Sequence, residues 1–352
     1  WSSDVCSSDL VLQYGRQMRG GWWKSPILQS VVPVIEGAQH VRLDLGEIER
    51  VATWMAAEEW APLDAPMPPG ADPFFFSDDL NQQVDLIMLA NSIDFAFTSF
   101  TTSQKFEVDY LGQRWSDSEA MGACLHRAIT AGEPILDGAW AANVNRAHLE
   151  RLFRAEMEMP MLDERVAVLN EVGGVLVDRY HGRWHTWIAS CAPALFANGD
   201  GLLERMEAEF PRFRDLSDWH GHTVKIQKLP QLGLWIAHRA LTPAGRPLVR
   251  DTEMFTAFAD YIVPLGLNVM GITHYTPELT ARVLAGDLLP RDSDEEIEIR
   301  AHTVYATALL ADAINARRPA GHELIIPQVD YRLWKSYHAT HVPHHLTRTI
   351  MY

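Results

Sequence analysis

The sequence has few cysteines, and the three that occur lie far apart. Cys6, Cys124 and Cys191 show neither the spacing of a metal site nor that of a disulfide framework. No apolar run reaches the length of a transmembrane helix, and the N-terminus lacks the charged and apolar regions of a signal peptide. These absences predict a cytoplasmic protein of a reducing compartment, with no membrane partner.

Basic residues are also scarce, with 30 Lys and Arg against 46 Asp and Glu and a formal net charge of -16. A protein that grips a nucleic-acid backbone needs a basic face, so this balance argues against tight binding to long DNA or RNA. It does not argue against a single nucleotide, which needs only one or two local cations.

Several catalytic motifs are missing. No Gly-rich phosphate loop follows a strand and no GxSxG occurs, which disfavours a nucleotide-binding α/β fold and a serine nucleophile. Histidines cluster at 181–185, 220–222 and 338–345, but His181 and His185 lack the intervening Glu of HExxH, and His181-Gly182 resembles a helix end. We therefore predict no metal and no other cofactor.

What is present is the composition of a soluble globular protein. The 352 residues are 47% hydrophobic and include 12 Trp, which suit both core packing and the stacking of flat ligands. The first ten residues, WSSDVCSSDL, nearly repeat themselves and begin without Met, so we interpret 1–10 as a tag or artefact. We expect 11–352 to form one compact domain, as a monomer or weak homodimer.

The periodicity is mainly helical, with a few short strands. Apolar residues step by four and three through 162–180, and Thr276, Pro277 and Gly286 mark the cap, start and stop of another helix. Ser293 to Glu296 predicts a capping box that opens a helix to about Asn315. Further helices are predicted at 118–131, 146–156 and 202–210, strands at 40–45, 105–110 and 223–227, and a Pro- and Gly-rich loop at 62–75.

The stretch DTEMFTAFADYIVPLG places two carboxylates, Asp251 and Asp260, in an apolar and aromatic run. Burying a carboxylate among aromatic rings is costly unless it has a partner or a task. Asp251 precedes a helical pattern and is expected to be an N-cap. Asp260 is either a cap or ion-pair partner, or a carboxylate that stabilises a cationic transition state.

A second acidic position lies in IIPQVDYRLW, where Asp330 adjoins Tyr331. It is either a strand-to-helix cap or a hydrogen-bonding edge for a heterocyclic base, with aromatic rings close enough to stack. Asp94, between Ile93 and Phe95, has the same character. Further along, LPQLG at 229–233 predicts a tight turn entering a helix and is similar to the LPGVG hairpin of helix-hairpin-helix glycosylases.

Longer matches run through almost the whole chain. They are AQHVRLD at 38–44, DERVAVLNEVGGVLVDRYHG at 163–182, EFPRFRD at 209–215, FADYIVP at 258–264, LLPRDSDEEIEIRAHTV at 288–304, VDYRLW at 329–334 and HLTRTIMY at 345–352. In order and spacing they resemble the queuosine salvage protein family, the queuosine 5′-phosphate N-glycosylases.

The resemblance implies a mainly α-helical fold related to helix-hairpin-helix DNA glycosylases. It also implies an N-glycosidase that hydrolyses queuosine 5′-monophosphate and releases queuine for tRNA modification. The Asp of FADY carries over to Asp260 as the catalytic residue, and Phe258 would pack on the base. The Asp-Tyr pair of DYxLW carries over to Asp330 and Tyr331 as queuine-binding residues.

The same reasoning adds other residues to the substrate site. Tyr261, Asp94 and Phe95 are predicted to line it, and Lys228, Arg300 and Arg348 are the candidate cations for the phosphate. Cleaving a base from ribose develops oxocarbenium character, which a fixed carboxylate stabilises. The predicted partner is therefore a small-molecule nucleotide.

The chain departs from the family pattern at several positions. The family usually reads LNFxFW where this chain has Asp94 and Thr98 in place of the Asn and Trp, and YKRAQ where Leu229 replaces the Arg. Lys335 stands where an Asp often follows DYxLW. Two alternatives therefore stay open, a glycosidase for a different modified nucleoside and a nucleobase-binding protein without activity.

Overall fold

The structure is a computed structural model that describes residues 7–18, 20–63, 77, 79–102, 104–338, 340 and 342–352. The loop predicted at 62–75 falls outside the described residues from 64 onward, as do Cys6 and His341. The described helices of the first half are α1 (Ser8–Gly15), α2 (Pro26–Gly37), α3 (Leu45–Met55), α4 (Leu80–Ser92), α5 (Asp117–Thr130), α6 (Gly138–Asn143), α7 (Arg146–Leu152) and α8 (Leu162–Tyr180). Those of the second half are α9 (Trp184–Ala189), α10 (Leu202–Glu209), α11 (Lys228–Leu241), α12 (Ile262–Val269), α13 (Pro277–Ala285), α14 (Asp294–Asn315) and α15 (Ile326–Tyr337).

Strands are few and short in the part of the chain described here. They are β1 (Val41–Leu43), β2 (Glu107–Tyr110), β3 (Gln113–Ser116), β4 (Leu216–Trp219), β5 (His222–Lys225) and β6 (Thr273–Tyr275). They form three antiparallel pairs, β1 with β6, β2 with β3 and β4 with β5. In the first pair Val41 lies opposite Tyr275, so two distant parts of the chain are joined.

Helix α14 lies at the centre of the fold. It packs against α2, α3, α12 and α15, and nearly every side chain from Glu296 to Ala311 is buried. One continuous hydrophobic core extends from Val11 to Leu333. Burial of apolar area on this scale is the main favourable contribution to folding. The prediction of a mainly α protein with a few short strands is confirmed, whereas its relation to helix-hairpin-helix glycosylases stays a prediction.

Local signals located several helices correctly. The helix predicted at 162–180 has those bounds in α8. Thr276 caps α13 through the backbone N–H of Leu279, and Ser293 caps α14 through that of Glu296. The predicted strands at 40–45 and 105–110 contain the shorter β1 and β2, and the one predicted at 223–227 overlaps β5, which begins one residue earlier and ends at Lys225. These elements are specified by short-range sequence features.

The turn predicted at 229–233 is wrong, because LPQLG lies inside α11. The residue with a left-handed backbone lies two positions earlier, at Gln227, which has a φ of 51° and precedes the helix. Pro230 is tolerated because its missing N–H falls in the first helical turn, where no intrahelical partner exists. Gly233 meets the Asn91 side chain of α4, where a Cβ would lie 2.4 Å from the Asn91 amide nitrogen. Gly233 therefore allows a close helix contact rather than a turn.

Residues 8–10, which we assigned to a tag or artefact, belong to α1, and Ser8 Oγ accepts a hydrogen bond from Arg42. Residues 1–6 lie outside the described residues. The helix predicted at 146–156 ends at Leu152. Helix α2 was not predicted, because Pro33 lies inside it and breaks the helical pattern.

Candidate active site

Asp260 is buried, with 7% of its surface exposed, immediately before α12. Its Oδ1 accepts hydrogen bonds from the backbone N–H groups of Ile262, at 2.7 Å, and Val263, at 3.0 Å. The carboxylate therefore caps the first turn of α12, where the helix dipole favours negative charge. Both of these hydrogen bonds go to Oδ1.

Lys228 begins α11 and extends its ammonium group toward Asp94, in the segment after α4. The Lys228 Nζ lies 3.2 Å from Asp94 Oδ2, and both side chains are largely buried. Burial raises the pKa of Asp260, and the Lys228 charge and the two backbone N–H groups oppose that rise, while Asp94 adds to it. Lys228, Asp94 and Asp260 thus act on one another electrostatically.

Asp330 completes the group from the middle of α15. Its Oδ1 accepts a 2.8 Å hydrogen bond from the backbone N–H of Phe258, two residues before Asp260. Burial, with a further contribution from Asp260, raises the pKa of Asp330 to about 8. Both effects favour the protonated form of the Asp330 carboxyl group. We call Asp94, Lys228, Asp260 and Asp330 the carboxylate–lysine cluster.

A cleft adjoins this cluster through Tyr261. It is lined mainly by aromatic and small polar residues, including Phe97, Thr98, Phe100, Tyr261, His344 and Tyr352. The rings of Tyr261 and His344 are stacked with centroids 4.4 Å apart. The four cluster side chains do not line the cleft themselves, so Tyr261 and the segment after Asp94 form the boundary between the two. Tyr261 lines this cleft, and its contact with a substrate stays a prediction.

Two predicted binding residues lie apart from the cluster. The Phe95 ring is buried and contacts two guanidinium groups, that of Arg165 at 4.3 Å and that of Arg212 at 5.0 Å from its centroid. Tyr331 is 51% exposed and stacks on Trp334 at 6.2 Å. Successive helical residues point about 100° apart. Asp330 and Tyr331 consequently face different surroundings, and their joint binding of a base stays a prediction.

Phe258 is buried, and its ring packs edge-on against Phe255 with centroids 6.4 Å apart. Its backbone N–H donates to Asp330 of the cluster. The expectation that the Phe258 ring packs on a base stays a prediction.

Two of the capping interpretations are wrong. Asp251 accepts hydrogen bonds from the backbone N–H groups of Leu195, at 2.8 Å, and Phe196, at 3.2 Å, and makes no capping bond to the turn that follows it. Asp330 lies in the interior of α15, so it is not a strand-to-helix cap. Both carboxylates instead bind backbone N–H groups that are distant in sequence, which local spacing does not reveal.

The predicted phosphate cations differ in their surroundings. Arg300 is buried and makes a bidentate ion pair with Asp215, at 2.9 and 2.6 Å, so it has no exposed face for a phosphate. Arg348 pairs with Glu164 and lies over the Phe100 ring, which lines the cleft. Lys228 is the candidate cation that belongs to the cluster.

Among the described residues, no group of three or more His, Cys, Asp or Glu side chains is arranged to hold a metal ion. His185, part of one predicted cluster, is hydrogen-bonded to the buried Asp85 at 2.9 Å. Over the same residues no helix has the length and apolarity needed to cross a membrane.

Comparison with known protein families decides the affiliation. The model for the queuosine salvage protein matches residues 74–352. This chain belongs to the queuosine salvage protein family. Curated relatives carry the name queuosine 5′-phosphate N-glycosylase/hydrolase. The Sphaerobacter thermophilus protein is 31% identical over 93% of this chain and 97% of its own length. The Mus musculus protein is 26% identical over 91% and 96%, and the Schizosaccharomyces pombe protein 25% identical over 88% and 90%.

The positions at which this queuosine salvage protein departs from the family pattern now have locations. Asp94 forms the ion pair with Lys228, inside the cluster. Thr98 lines the cleft. Lys335 is exposed, with its Nζ 6.0 Å from the Tyr331 ring centroid on the outer face of α15. The charge reversal at Lys335 thus lies beside Tyr331 rather than beside Asp330.

Sequence reasoning did not single out Asp215, Arg165 or Arg212 as parts of the site. Arg165 donates to the carbonyl oxygens of Phe95 and Ala96, and Arg212 donates to that of Ser92 at 2.6 Å. Together they hold the backbone on both sides of Asp94. Both arginines occur within the matched segments DERVAVLNE and EFPRFRD, and this was the one sequence signal that could have drawn attention to them.

Proposed function

We propose that this chain hydrolyses the N-glycosidic bond of queuosine 5′-phosphate and releases queuine for reuse in tRNA modification. The relatives named for this reaction cover almost the whole chain. The observation that carries the proposal is a buried carboxylate, Asp260, fixed by two backbone N–H groups beside a buried lysine.

In the proposed reaction, Asp260 stabilises the positive charge that develops on the ribose as the bond to the base breaks. The two N–H groups on Oδ1 fix the carboxylate, so no reorganisation is needed when the charge appears. The Lys228 ammonium favours the ionised form of Asp260. Water then adds to the sugar carbon, and its proton is accepted by Asp260.

Asp330 has the complementary protonation state. Because its raised pKa favours the protonated form, Asp330 can transfer its proton to the departing base as the bond breaks, so that the base leaves as a neutral molecule. In the same bond cleavage, the ionised carboxylate of Asp260 then acts on the sugar and the neutral carboxyl group of Asp330 acts on the base. The cleft beside Tyr261, with its aromatic lining, offers a stacking surface for a flat ligand.

The first experiment measures base release by the purified chain from queuosine 5′-phosphate, from the nucleoside queuosine, from guanosine 5′-phosphate and from a panel of other modified nucleotides. We expect queuosine 5′-phosphate to be the preferred substrate. Preference for another modified nucleotide would support the alternative that Asp94 and Thr98 motivate. Binding of queuine without base release from any nucleotide would indicate a nucleobase-binding protein and contradict the proposal.

The Asp260→Asn variant tests the mechanism. Asn keeps the shape and can still accept from Ile262 and Val263, so folding should be retained. Turnover should fall by at least about a hundredfold, because the charge that stabilises the transition state is lost. The measurement is single-turnover base release, with thermal unfolding as the control. Parent-like turnover would remove Asp260 from the mechanism.

We also propose that the protein acts in the cytoplasm on a small-molecule nucleotide, as a monomer or weak homodimer. The dispersed cysteines and the acidic balance support this. Gel filtration with light scattering measures the mass, and a stable higher oligomer would contradict the last part.

A further inference from the structure

A fully buried ion pair, Asp215 with Arg300, lies beneath the carboxylate–lysine cluster. The two guanidinium NH2 groups of Arg300 donate to the two carboxylate oxygens of Asp215, at 2.9 and 2.6 Å. Each side chain is 3% exposed. This bidentate geometry fixes both direction and distance, which a lysine in place of the arginine would not do.

Each partner also binds one backbone group next to a cluster residue. Asp215 Oδ2 accepts a 3.1 Å hydrogen bond from the backbone N–H of Lys228. Arg300 Nε donates a 3.1 Å hydrogen bond to the carbonyl oxygen of Ala259, the residue before Asp260. The ion pair therefore joins the start of α11 to the start of α12 through four hydrogen bonds.

The pair is itself held from two sides. Arg300 lies 3.5 Å from Glu296 Oε1, one turn earlier on α14, and its guanidinium stacks on the Tyr352 ring at 4.4 Å. Asp215 is fixed through its backbone, since its carbonyl oxygen accepts from Ile226 N–H at 3.2 Å. Movement of either side chain is thus restricted by the central helix and by the β4–β5 pair.

We propose that Asp215 and Arg300 are positioning residues for the hydrolysis, because together they set the separation of the Lys228 ammonium and the Asp260 carboxylate. The inference rests on the function proposed above. Catalytic groups must be held to within a fraction of an ångström, and a small displacement lowers the rate strongly. Neither side chain lines the cleft, although the Tyr352 ring on which Arg300 stacks does. The pair acts on the cluster through its hydrogen bonds to Lys228 and Ala259.

Stability alone is a weak reason for such a pair. Replacing a buried ion pair by apolar residues of similar volume is often neutral or stabilising. The contacts to Lys228 N–H and Ala259 carbonyl are different, because apolar residues cannot make them. A role in stability alone would not require these two backbone contacts, whereas a role in positioning would.

The first test is Arg300→Lys. A lysine keeps the charge opposite Asp215 and Glu296 but cannot bind both oxygens of Asp215 and the Ala259 carbonyl at once. We expect kcat for queuosine 5′-phosphate to fall by about tenfold or more, with KM changed by less than about threefold. Parent-like kcat in a folded variant would overturn the inference.

The matched control is Arg205→Lys. Arg205 also joins a carboxylate, Glu209 at 2.6 Å, to a backbone carbonyl, that of Ser190 at 2.6 Å, but away from the cluster. We expect its kcat to stay within about twofold of the parent. Equal losses of kcat in both variants would show a general effect on folding and contradict positioning.

If Arg300→Lys does not fold, the triple variant Asp215→Leu/Glu296→Gln/Arg300→Met removes both members of the pair together with the charge of Glu296, which would otherwise lose its cation. It should fold and still lose about tenfold or more in kcat, because both backbone contacts are gone. Folding with full activity would overturn the inference.

The decisive readout combines Arg300→Lys with Asp260→Asn. Most of the effect of Arg300→Lys should disappear in the Asp260→Asn background, to less than about threefold, because the positioned carboxylate is absent. If the pair had a purely structural role, the kcat losses of the two single variants would multiply in the double variant. That result would contradict positioning. Parent-like turnover of Asp260→Asn alone would overturn the proposed role of Asp260 and this inference together. Parent-like turnover of Arg300→Lys alone overturns only this inference.

Discussion

The Lys228 ammonium is the positive charge that two buried acids share. Burial raises the pKa of both Asp260 and Asp330, and the positive charge of Lys228 reduces that rise. It is also the group whose position the Asp215 carboxylate fixes through the backbone. A single side chain thereby links protonation state and geometry in the cluster.

The variant Lys228→Met should move the pH dependence of the reaction. Without the ammonium the pKa of Asp260 rises, so its ionised form is populated only at higher pH. We expect the acid limb of the kcat/KM profile to shift upward by about one pH unit or more. The measurement is base release from queuosine 5′-phosphate across the pH range.

Lys225→Met provides the control for that shift. Lys225 lies three residues earlier and pairs with Glu207 at 3.0 Å, on the partly exposed face of β5. Its removal should leave the acid limb in place. A shift of equal size in the control, or no shift in Lys228→Met, would contradict the role assigned to the ammonium.

Helices α6 and α8 pack closely against each other, and Gly173 of α8 lies at their contact. A Cβ on Gly173 would lie 2.3 Å from the backbone N of Ala142 and 2.6 Å from the carbonyl oxygen of Gly138. No described atom lies within 4 Å of the corresponding position on Gly174. Gly173 is therefore required by packing, whereas Gly174 is not.

The two glycine-to-alanine variants should have opposite effects on stability. Gly173→Ala forces two backbones apart, and we expect a loss of about 1–3 kcal/mol or more in the free energy of unfolding. Gly174→Ala should gain about 0.5–1 kcal/mol from helix propensity. Urea denaturation measures both. A similar effect of the two substitutions would contradict the packing described for α6 and α8.

The sequence predicts elements better than it predicts the partners of polar groups. Helices α8, α13 and α14 are specified by periodicity and caps. The residues that form each of these signals lie within a few positions of each other in the sequence. The position of Asp260 before a helix could also be anticipated. The pairing of Asp215 with Arg300 could not, because the two lie 85 positions apart and neither shows a local pattern. For the same reason Asp251 was assigned to a cap, although it binds Leu195 and Phe196.

At the scale of the whole molecule, one buried proton couples folding to pH. An unfolded aspartate ionises near about pH 4, whereas the pKa of Asp330 in the folded chain is raised to about 8 by burial and by Asp260. Between these values the unfolded chain releases a proton that the folded chain keeps. Rising pH therefore favours unfolding through this group, and the contribution is complete above about pH 8.

Asp330→Asn removes that coupling and keeps an oxygen that can accept from Phe258 N–H. The melting temperature of the variant should rise relative to the parent as the pH increases from about 5 to about 8, and the difference should then level off. Calorimetry at several pH values measures it, with the exposed Asp109→Asn as a control. A difference independent of pH would show that Asp330 does not hold a proton in the folded chain.

Helix α14 has a consequence for how this family can diverge. A helix enclosed on every side has no outer face on which substitutions are tolerated. Its polar side chains also make hydrogen bonds to other segments. Glu298 accepts from the backbone N–H groups of residues 39–41, and Arg300 binds Asp215 and Ala259. Any change there must be compensated in another segment at the same time. Relatives that share only 25–31% of their residues with this chain should therefore have accumulated their differences on the outer helices.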